Sequence, residues 1–598
     1  MTEPSTKISG AAPEGEAADL GLWREMIMTI RAIFASPAGK TLVLLVIAII
    51  LVVVATAYGQ VRLNRWNKPF YDALSRRDLR DFLFQLGVFF LIAGFILFLN
   101  VWQRWLAETL QVKLREGLVK SLLEEWMQPR RAFWLANSGA MGVNPDQRMH
   151  EDARHLSELS ADLWVGLLQA TILFGTFAGV LWSLSSDFDF RLGDRDYAIP
   201  GFMVWAAIIY ASGGSLLSYW VGRGLVGRNA DRYAREADLR FSLVRVNEHV
   251  DDISLAEGEA GEKRRIELNL GEVLAATRRI VWGHTNLTWI TAGFGWVTLV
   301  APILVAAPLY FTGKVSFGGL MMAAGAFTQV VSSLRWFIDN FSVIADWRAT
   351  LLRVANFRHA LISTHEPKGF ESRIAYLEGD PGAIRIENLQ IVSAANADML
   401  KERKVVVAAG ARALISGAPG TGKTQLFRAL AGLWPWGAGQ ITRPRGEQIF
   451  YVPRGTPYLP RGTLREVLAY PLTAESFTTD AFTRSLYRFG LERLAPLLDE
   501  ARRWDRELSQ DEQLCLVFAR ILIQTPPWVL IDGTLGSLDD DVLDLVVDVF
   551  TNELRHISII HIGAPGEAHR LFPSVLHLVK APRIPKSATD PGAPGTSR

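Results

Sequence analysis

The feature that most restricts this chain is a set of six long apolar runs: Thr41–Tyr58, Phe82–Trp102, Leu163–Leu184, Pro200–Gly222, Leu287–Phe311 and Phe317 to about Ile338. A hydrocarbon layer about 30 Å thick is crossed by roughly 20 helical residues, and each run is close to that length. No water is available there to satisfy peptide N–H and C=O groups, so a crossing segment must satisfy them internally as a helix. The expectation is an all-α domain of six membrane-spanning helices. The last two runs are joined by the short turn Thr312–Ser316, and the fifth carries Pro302 and Pro308 as candidate kinks. Trp and Tyr gather at the run ends, as interfacial aromatic rings do.

Lys and Arg are densest in Gln103–Asp162 and Arg223–Thr285, which places these two loops on the cytoplasmic side. An even number of spans then leaves both termini in the cytoplasm. The loop Gly59–Asp81 runs against this rule, because it carries Arg62, Arg65, Lys68, Arg76, Arg77 and Arg80 on the expected outer side. Within the cytoplasmic loops, Val112–Trp126 and Asp231–Val250 show apolar residues at helical spacing, so the spans are expected to project beyond the bilayer as helices. Arg335 and Asp339 can pair on one helix face, most simply as a solvated interfacial bridge.

The rest of the composition separates two units. Aromatic residues, including 19 Trp and 31 Phe, are dense before Phe341 and sparser after it, which puts the membrane domain first and a soluble domain second. A net charge of +2 provides no field for holding nucleic acid. The lone cysteine, Cys515, rules out an intrachain disulfide and a cysteine metal cluster, and reads as a buried apolar thiol. The Ser/Gly/Ala/Glu stretch Thr2–Asp19 is expected to be disordered and is not a signal peptide, because the first apolar run starts only at Thr41 and is long enough to span. The expected division is a tail with an amphipathic segment (1–40), the membrane domain (41–345), a linker (346–380), an α/β domain (381–580) and a disordered tail (581–598).

In the α/β portion, Ala383–Ile386 and Arg412–Ile415 read as strands. The second runs into Gly417-Ala418-Pro419-Gly420-Thr421-Gly422-Lys423-Thr424 and then a helix, Gln425–Leu433, which is the strand-loop-helix setting of a phosphate-binding loop. Its glycines let backbone amides wrap phosphates, Lys423 reaches the β/γ oxygens and Thr424 offers a hydroxyl to Mg²⁺. The expected ATP-binding residues are Gly417 through Gln425 (Gly417, Ala418, Pro419, Gly420, Thr421, Gly422, Lys423, Thr424 and Gln425), with Ser509 from a second motif. Further on, Trp528–Asp532 is an apolar strand ending in a carboxylate suited to hold Mg²⁺ through water.

Just upstream of that strand lies Leu508-Ser509-Gln510-Asp511-Glu512-Gln513, which resembles the LSGGQ signature of the ATP-binding cassette (ABC) family. Downstream, the strand Ile557–Ile560 leads to His561, which matches the family's switch histidine. The resemblance covers nearly the whole chain and points to the branch that holds the subfamily D half-transporters, the SbmA/BacA peptide-uptake proteins and mycobacterial cobalamin importers. Its carriers are Asn64-Arg65-Trp66-Asn67-Lys68-Pro69-Phe70-Tyr71-Asp72-Ala73-Leu74 and Asn144-Pro145-Asp146-Gln147-Arg148 in the membrane half. In the cassette they include Pro457-Tyr458-Leu459-Pro460-Arg461-Gly462-Thr463-Leu464-Arg465. The resemblance implies an exporter-type membrane domain fused to an α/β P-loop cassette, with ATP and Mg²⁺ as cofactors. It further implies a lipid bilayer setting in a bacterial inner membrane, a second copy or a paralogue as partner, and cargo such as peptides, cobalamin-like molecules or acyl chains. Direction of transport and choice of partner stay open.

The chain departs from the family at the hydrolytic residues. Gly533 follows Asp532 where the family has a glutamate that polarises the attacking water, so turnover is expected to be weak or absent. Tyr451-Val452-Pro453-Arg454-Gly455-Thr456 lacks the usual glutamine and carries one extra residue. Asp511 replaces a signature glycine and would set a negative charge toward the γ-phosphate held by the partner. Neighbouring Glu512 or Asp511 is the alternative source of a base. No aromatic residue lies near Ile391 in the sequence to stack on adenine.

Overall fold

The computed structural model describes residues 39–136, 144–185, 189–192, 195–311, 313–363, 373–393, 397–564 and 571–581; most of both expected tails, and residues 364–372 of the expected linker, lie outside these. The chain divides into two compact units, residues 1–365 and 366–598.

The first unit is built from α1 (Gly39–Ser75), α2 (Leu79–Trp126), α3 (Ala153–Leu184), α4 (Phe202–Glu248), α5 (Glu259–Phe311), α6 (Phe317–Asp339) and α7 (Phe341–Ser363). Taking α6 and α7 together, six helical stretches among the described residues are long and apolar enough to cross a membrane. Helix α1 lies along α2, α4 lies along α5, and α6 packs against α1, α3 and α4. The buried face of α6 is lined by Gly319, Ala323, Ala326 and Val330, small residues that let helix backbones approach closely. Trp289 and Trp296 of α5 stay more than three-quarters exposed, the arrangement a lipid-facing surface requires.

The structure corrects two sequence expectations here. Gly59–Asp81 is not a loop: α1 continues through Pro69 to Ser75 and only Arg76–Asp78 turn. Arg77 takes the left-handed backbone (φ 59°), and the Asp78 carboxylate caps α2 by accepting from the amides of Arg80 and Asp81 at 3.1 Å. Apolar runs mark the stretch in lipid, whereas Arg, Lys and Gln are good helix formers and let the helix continue past it. The expected linker 346–380 is likewise structured at both ends, since α7 reaches Ser363 and a strand occupies Ala375–Gly379.

Of the other helical expectations, Val112–Trp126 is continuous with α2, whereas Asp231–Val250 holds only to Glu248, the end of α4, and Val250 opens a separate short helix. At Asn144-Pro145-Asp146-Gln147-Arg148 the chain passes from a left-handed Asn144 (φ 56°) through a helical turn and a π-turn, Arg148–Asp152, into α3. Asp152 is buried and accepts from Arg148 at 2.6 Å and from Arg353 of α7 at 2.9 Å. Two guanidinium groups make that buried carboxylate tolerable. Arg335 and Asp339 pair at 3.5 Å with Asp339 more than half exposed, a solvated bridge.

The second unit contains β1 (Ala375–Gly379), β2 (Ala383–Val392), β3 (Ala397–Leu400), β4 (Lys404–Ala408), β5 (Arg412–Gly417), α8 (Lys423–Leu430), β6 (Gly437–Pro444) and β7 (Ile449–Val452). Then follow α9 (Leu464–Ala469), α10 (Thr479–Arg488), α11 (Gln510–Gln524), β8 (Trp528–Asp532), α12 (Asp540–Thr551), β9 (Ser558–Gly563) and β10 (Ser574–Lys580). Ten strands form one sheet in the order β1-β6-β2-β3-β10-β5-β9-β8-β7, with β4 paired to β2. The five strands from β10 to β7 are mutually parallel. Both faces of this parallel region are covered, which is why β8 reads as an apolar run up to Asp532. One face packs on α8 through Ile415, Leu426, Leu530 and Ile560. The other packs on α9 to α12 through Ile531, Val467, Leu486, Phe518 and Phe550. Cys515 lies in that second core, and burial pushes its thiol up to about 11.

Candidate nucleotide site

Ligands of parallel α/β sheets bind beyond the carboxyl ends of the strands, and here β5, β7, β8 and β9 end together. From β5, Gly417–Gly422 wraps into α8. A side chain on Gly417 would place its Cβ 2.5 Å from Thr421 Oγ1 and 3.0 Å from the Leu578 carbonyl, so the loop closes only around glycine. Thr421 donates its hydroxyl to the Ala418 carbonyl at 2.7 Å, and Lys423 folds back to donate from Nζ to the Gly417 carbonyl at 3.1 Å. Gly417, Ala418, Pro419, Gly420, Thr421, Gly422, Lys423, Thr424 and Gln425 thus form one loop and helix start, with α8 beginning at Lys423 rather than at Gln425.

Asp532 at the end of β8 is 1% exposed, and its carboxylate lies beside Thr424. Burial pushes its carboxyl up, against the opposing effects of Arg454, Thr424, His561 and Lys423. Gly533 follows in the left-handed conformation (φ 64°) and donates its N–H to the Ile562 carbonyl at 2.8 Å. No side chain at 533 is available to act on water.

Sequence reasoning missed what occupies this space. Arg454, just past β7, puts Nη2 3.6 Å from Asp532 Oδ1, and a Cβ on Gly533 would lie 2.9 Å from Arg454 Nε. The Thr534 hydroxyl donates to the Pro453 carbonyl at 3.1 Å, tying the two loops together. The sequence signal was the pairing of two departures, an arginine where glutamine is usual and a glycine where glutamate is usual. A second unforeseen carboxylate, Asp398, is 2% exposed and packs against Gly422; burial pushes its carboxyl up. Trp434 reaches the strand beside Ile391 from a distant position, donating from Nε1 to the Val392 carbonyl at 3.0 Å.

The second motif does not join this cluster within the chain. Ser509 caps α11: its hydroxyl accepts from the Glu512 amide at 3.3 Å, and Glu512 returns the bond to the Ser509 amide at 3.0 Å. Glu512 is also paired with Arg493, so it serves as a cap and not as a base beside Asp532. Asp511 lies beside Asp539, and its carboxyl is pushed up by burial first and then by that neighbour. Arg520 of the same helix is buried and donates to the Val467 carbonyl at 2.6 Å, and burial lowers it to about 10.

The structure corrects the expectation for His561. The strand runs from Ser558 to Gly563, so His561 lies inside it, fully buried and stacked on Phe572 at 5.3 Å. It stands opposite Leu414 and Ile531, both in the core against α9 to α12, whereas Trp528 and Leu530, in step with Asp532, face α8. Side chains alternate along a strand, so His561 packs on the face away from the phosphate loop. Ala564 is the residue at the strand's exit.

A divalent cation would find Thr424 and Asp532 as oxygen donors. The guanidinium opposite Asp532 Oδ1 competes for the same carboxylate. The donor set as it stands does not fit a hydrated Mg²⁺.

Comparison with known proteins agrees with the two-unit architecture. The profile for "ABC transporter transmembrane region 2" matches residues 30–311, and that for "ABC transporter" matches residues 400–535. The inner membrane ABC transporter ATP-binding protein YddA of Escherichia coli is 28% identical over 510 residues, covering 84% of this chain and 88% of that protein. ABC transporter D family member 2 of Arabidopsis thaliana is 27% identical, covering 86% of this chain and 80% of its own length. A bacterial Atm1-family ABC exporter with ATP bound shares the fold with a TM-score of 0.69 at 16% identity, covering 90% of this chain and 94% of the other. The chain is therefore a half-transporter of the ABC family related to its D-family members, with one transmembrane region and one ATP-binding cassette.

Proposed function

We propose that this half-transporter works as a dimer, binds ATP at the Gly417–Gln425 loop, and hydrolyses it slowly while moving an amphipathic or bulky solute across a bacterial inner membrane. The observation that carries the reading is local. The loop that holds phosphates is intact and closed around Gly417, whereas position 533 offers no base. Ground-state phosphate contacts therefore survive and activation of water does not. A missing general base lowers a rate by about 10² to 10⁴. Peptides, cobalamin-like molecules and acyl chains remain the cargo classes, with both termini and the cassette on the cytoplasmic side. The name of the Escherichia coli relative, which places it in the inner membrane, supports the location.

The test is nucleotide binding beside steady-state phosphate release, on the full chain in lipid nanodiscs. ATP should bind, Lys423→Ala should weaken binding by at least about tenfold, and turnover should lie about a hundredfold below a relative that keeps the glutamate. Turnover at that relative's rate would overturn the reading. A second reading is favoured by Gly533 together with Asp511: the chain serves as a regulatory subunit paired with an intact half-transporter. Purification from its own membrane as a homodimer alone would count against it.

A further inference from the structure

Arg454 carries an inference that deepens the proposed ATP site and rests on that reading. Three observations converge on it. Its guanidinium faces Asp532 Oδ1 at 3.6 Å, and that oxygen is buried with no hydrogen-bond partner. The space that a residue larger than glycine would claim at 533 is filled by the same guanidinium, 3.0 Å at Cζ from where a Cβ would stand. The loop bearing Arg454 is fixed at its root, because β7 pairs in parallel with β8 and Thr534 holds the Pro453 carbonyl.

We propose that Arg454 is the resident counter-cation of this nucleotide site, replacing Mg²⁺, so that the cassette binds ATP without a divalent metal. Mg²⁺ requires near-octahedral oxygen ligands at close range and keeps several waters, and a guanidinium beside its carboxylate both repels it and takes the room of those waters. The same guanidinium suits a polyphosphate, since its planar fork bonds phosphate oxygens in pairs and never loses its charge. Its side chain is 54% exposed, so it can turn from Asp532 toward a bound phosphate while Lys423 contacts the other side. The arginine and the glycine are then one adaptation: the cation occupies the place from which a base would have acted.

The experiment measures ATP affinity of the full-length protein in nanodiscs, in Mg²⁺ and in excess EDTA, for wild type, Arg454→Gln, Arg454→Lys and Lys423→Ala. Wild-type affinity should differ by less than about threefold between the two conditions. Arg454→Gln should lose at least about tenfold in EDTA and recover in Mg²⁺, which also shows that the variant is folded, and Arg454→Lys should hold most of the EDTA affinity. Wild type that binds ATP only with Mg²⁺, or Arg454→Gln that binds as wild type does in EDTA, overturns the inference while leaving ATP binding in place. No binding by wild type in either condition overturns the proposed function itself, and the inference with it.

Discussion

Replacing Gly533 by Glu supplies the missing carboxylate, yet the geometry leads to the expectation that this change alone restores hydrolysis only in part. The backbone at 533 is left-handed (φ 64°, ψ 4°), which costs a residue with a Cβ about 1 kcal/mol. Its Cβ would stand 2.9 Å from Arg454 Nε, so the guanidinium must swing aside, and a flexible, half-exposed arm can do so cheaply. The larger effect comes after it moves. At the present Arg454–Asp532 separation of 3.6 Å, two unit charges at an effective dielectric of about 20 attract by about 5 kcal/mol, which exposure reduces to roughly 1–2 kcal/mol. A carboxylate held by that attraction is a weaker base by about one pKa unit, which forfeits up to about tenfold of the rate a free base would restore. Steady-state phosphate release should place Arg454→Gln within about threefold of wild type, and the double variant at least about threefold above Gly533→Glu alone. A single Gly533→Glu variant as fast as the double would refute the reasoning, because Arg454 would then not control the site.

Asp511 gives a pH signature. Its carboxyl sits above its ordinary value, so the folded chain holds that proton more tightly than the unfolded one; the contribution is complete below the ordinary carboxylate pKa and fades as pH rises through the raised value. Melting temperature between about pH 4 and pH 7 should therefore fall less steeply in Asp511→Asn than in wild type, and parallel curves would show no such coupling. Gly417→Ala should cost about 1–3 kcal/mol and weaken ATP binding, since the new methyl meets Thr421 and the Leu578 carbonyl; an unchanged melting temperature would mean that the loop relaxes freely. Asp152→Ala should destabilise the membrane unit by about 1–3 kcal/mol, by removing the hydrogen bonds from Arg148 and Arg353, read as thermal unfolding in nanodiscs; a shift no larger than that of a surface Asp→Ala change would refute it.

The six spans, the boundary between an apolar and a soluble half, and the phosphate loop are all legible along the chain. Each is a local pattern: a run long enough for lipid, or glycines and a lysine at fixed spacing between strand and helix. The same locality explains the error at Gly59–Asp81, where polar residues and Pro69 signalled a loop although the helix runs through them to the Arg77–Asp78 turn. It also explains His561, which a strand ending at residue 560 would have exposed and a strand ending at Gly563 buries on the far face. Only the tertiary structure decided what stands beside Asp532. Arg454 and Gly533 are 79 positions apart in the sequence, and only the parallel pairing of β7 with β8 brings the strand ends that carry them side by side. A missing glutamate read alone is a loss of function. Beside a guanidinium that fills its place, it is a change in which charge the site uses, because a pairwise electrostatic interaction depends on distance in space and not on separation along the chain.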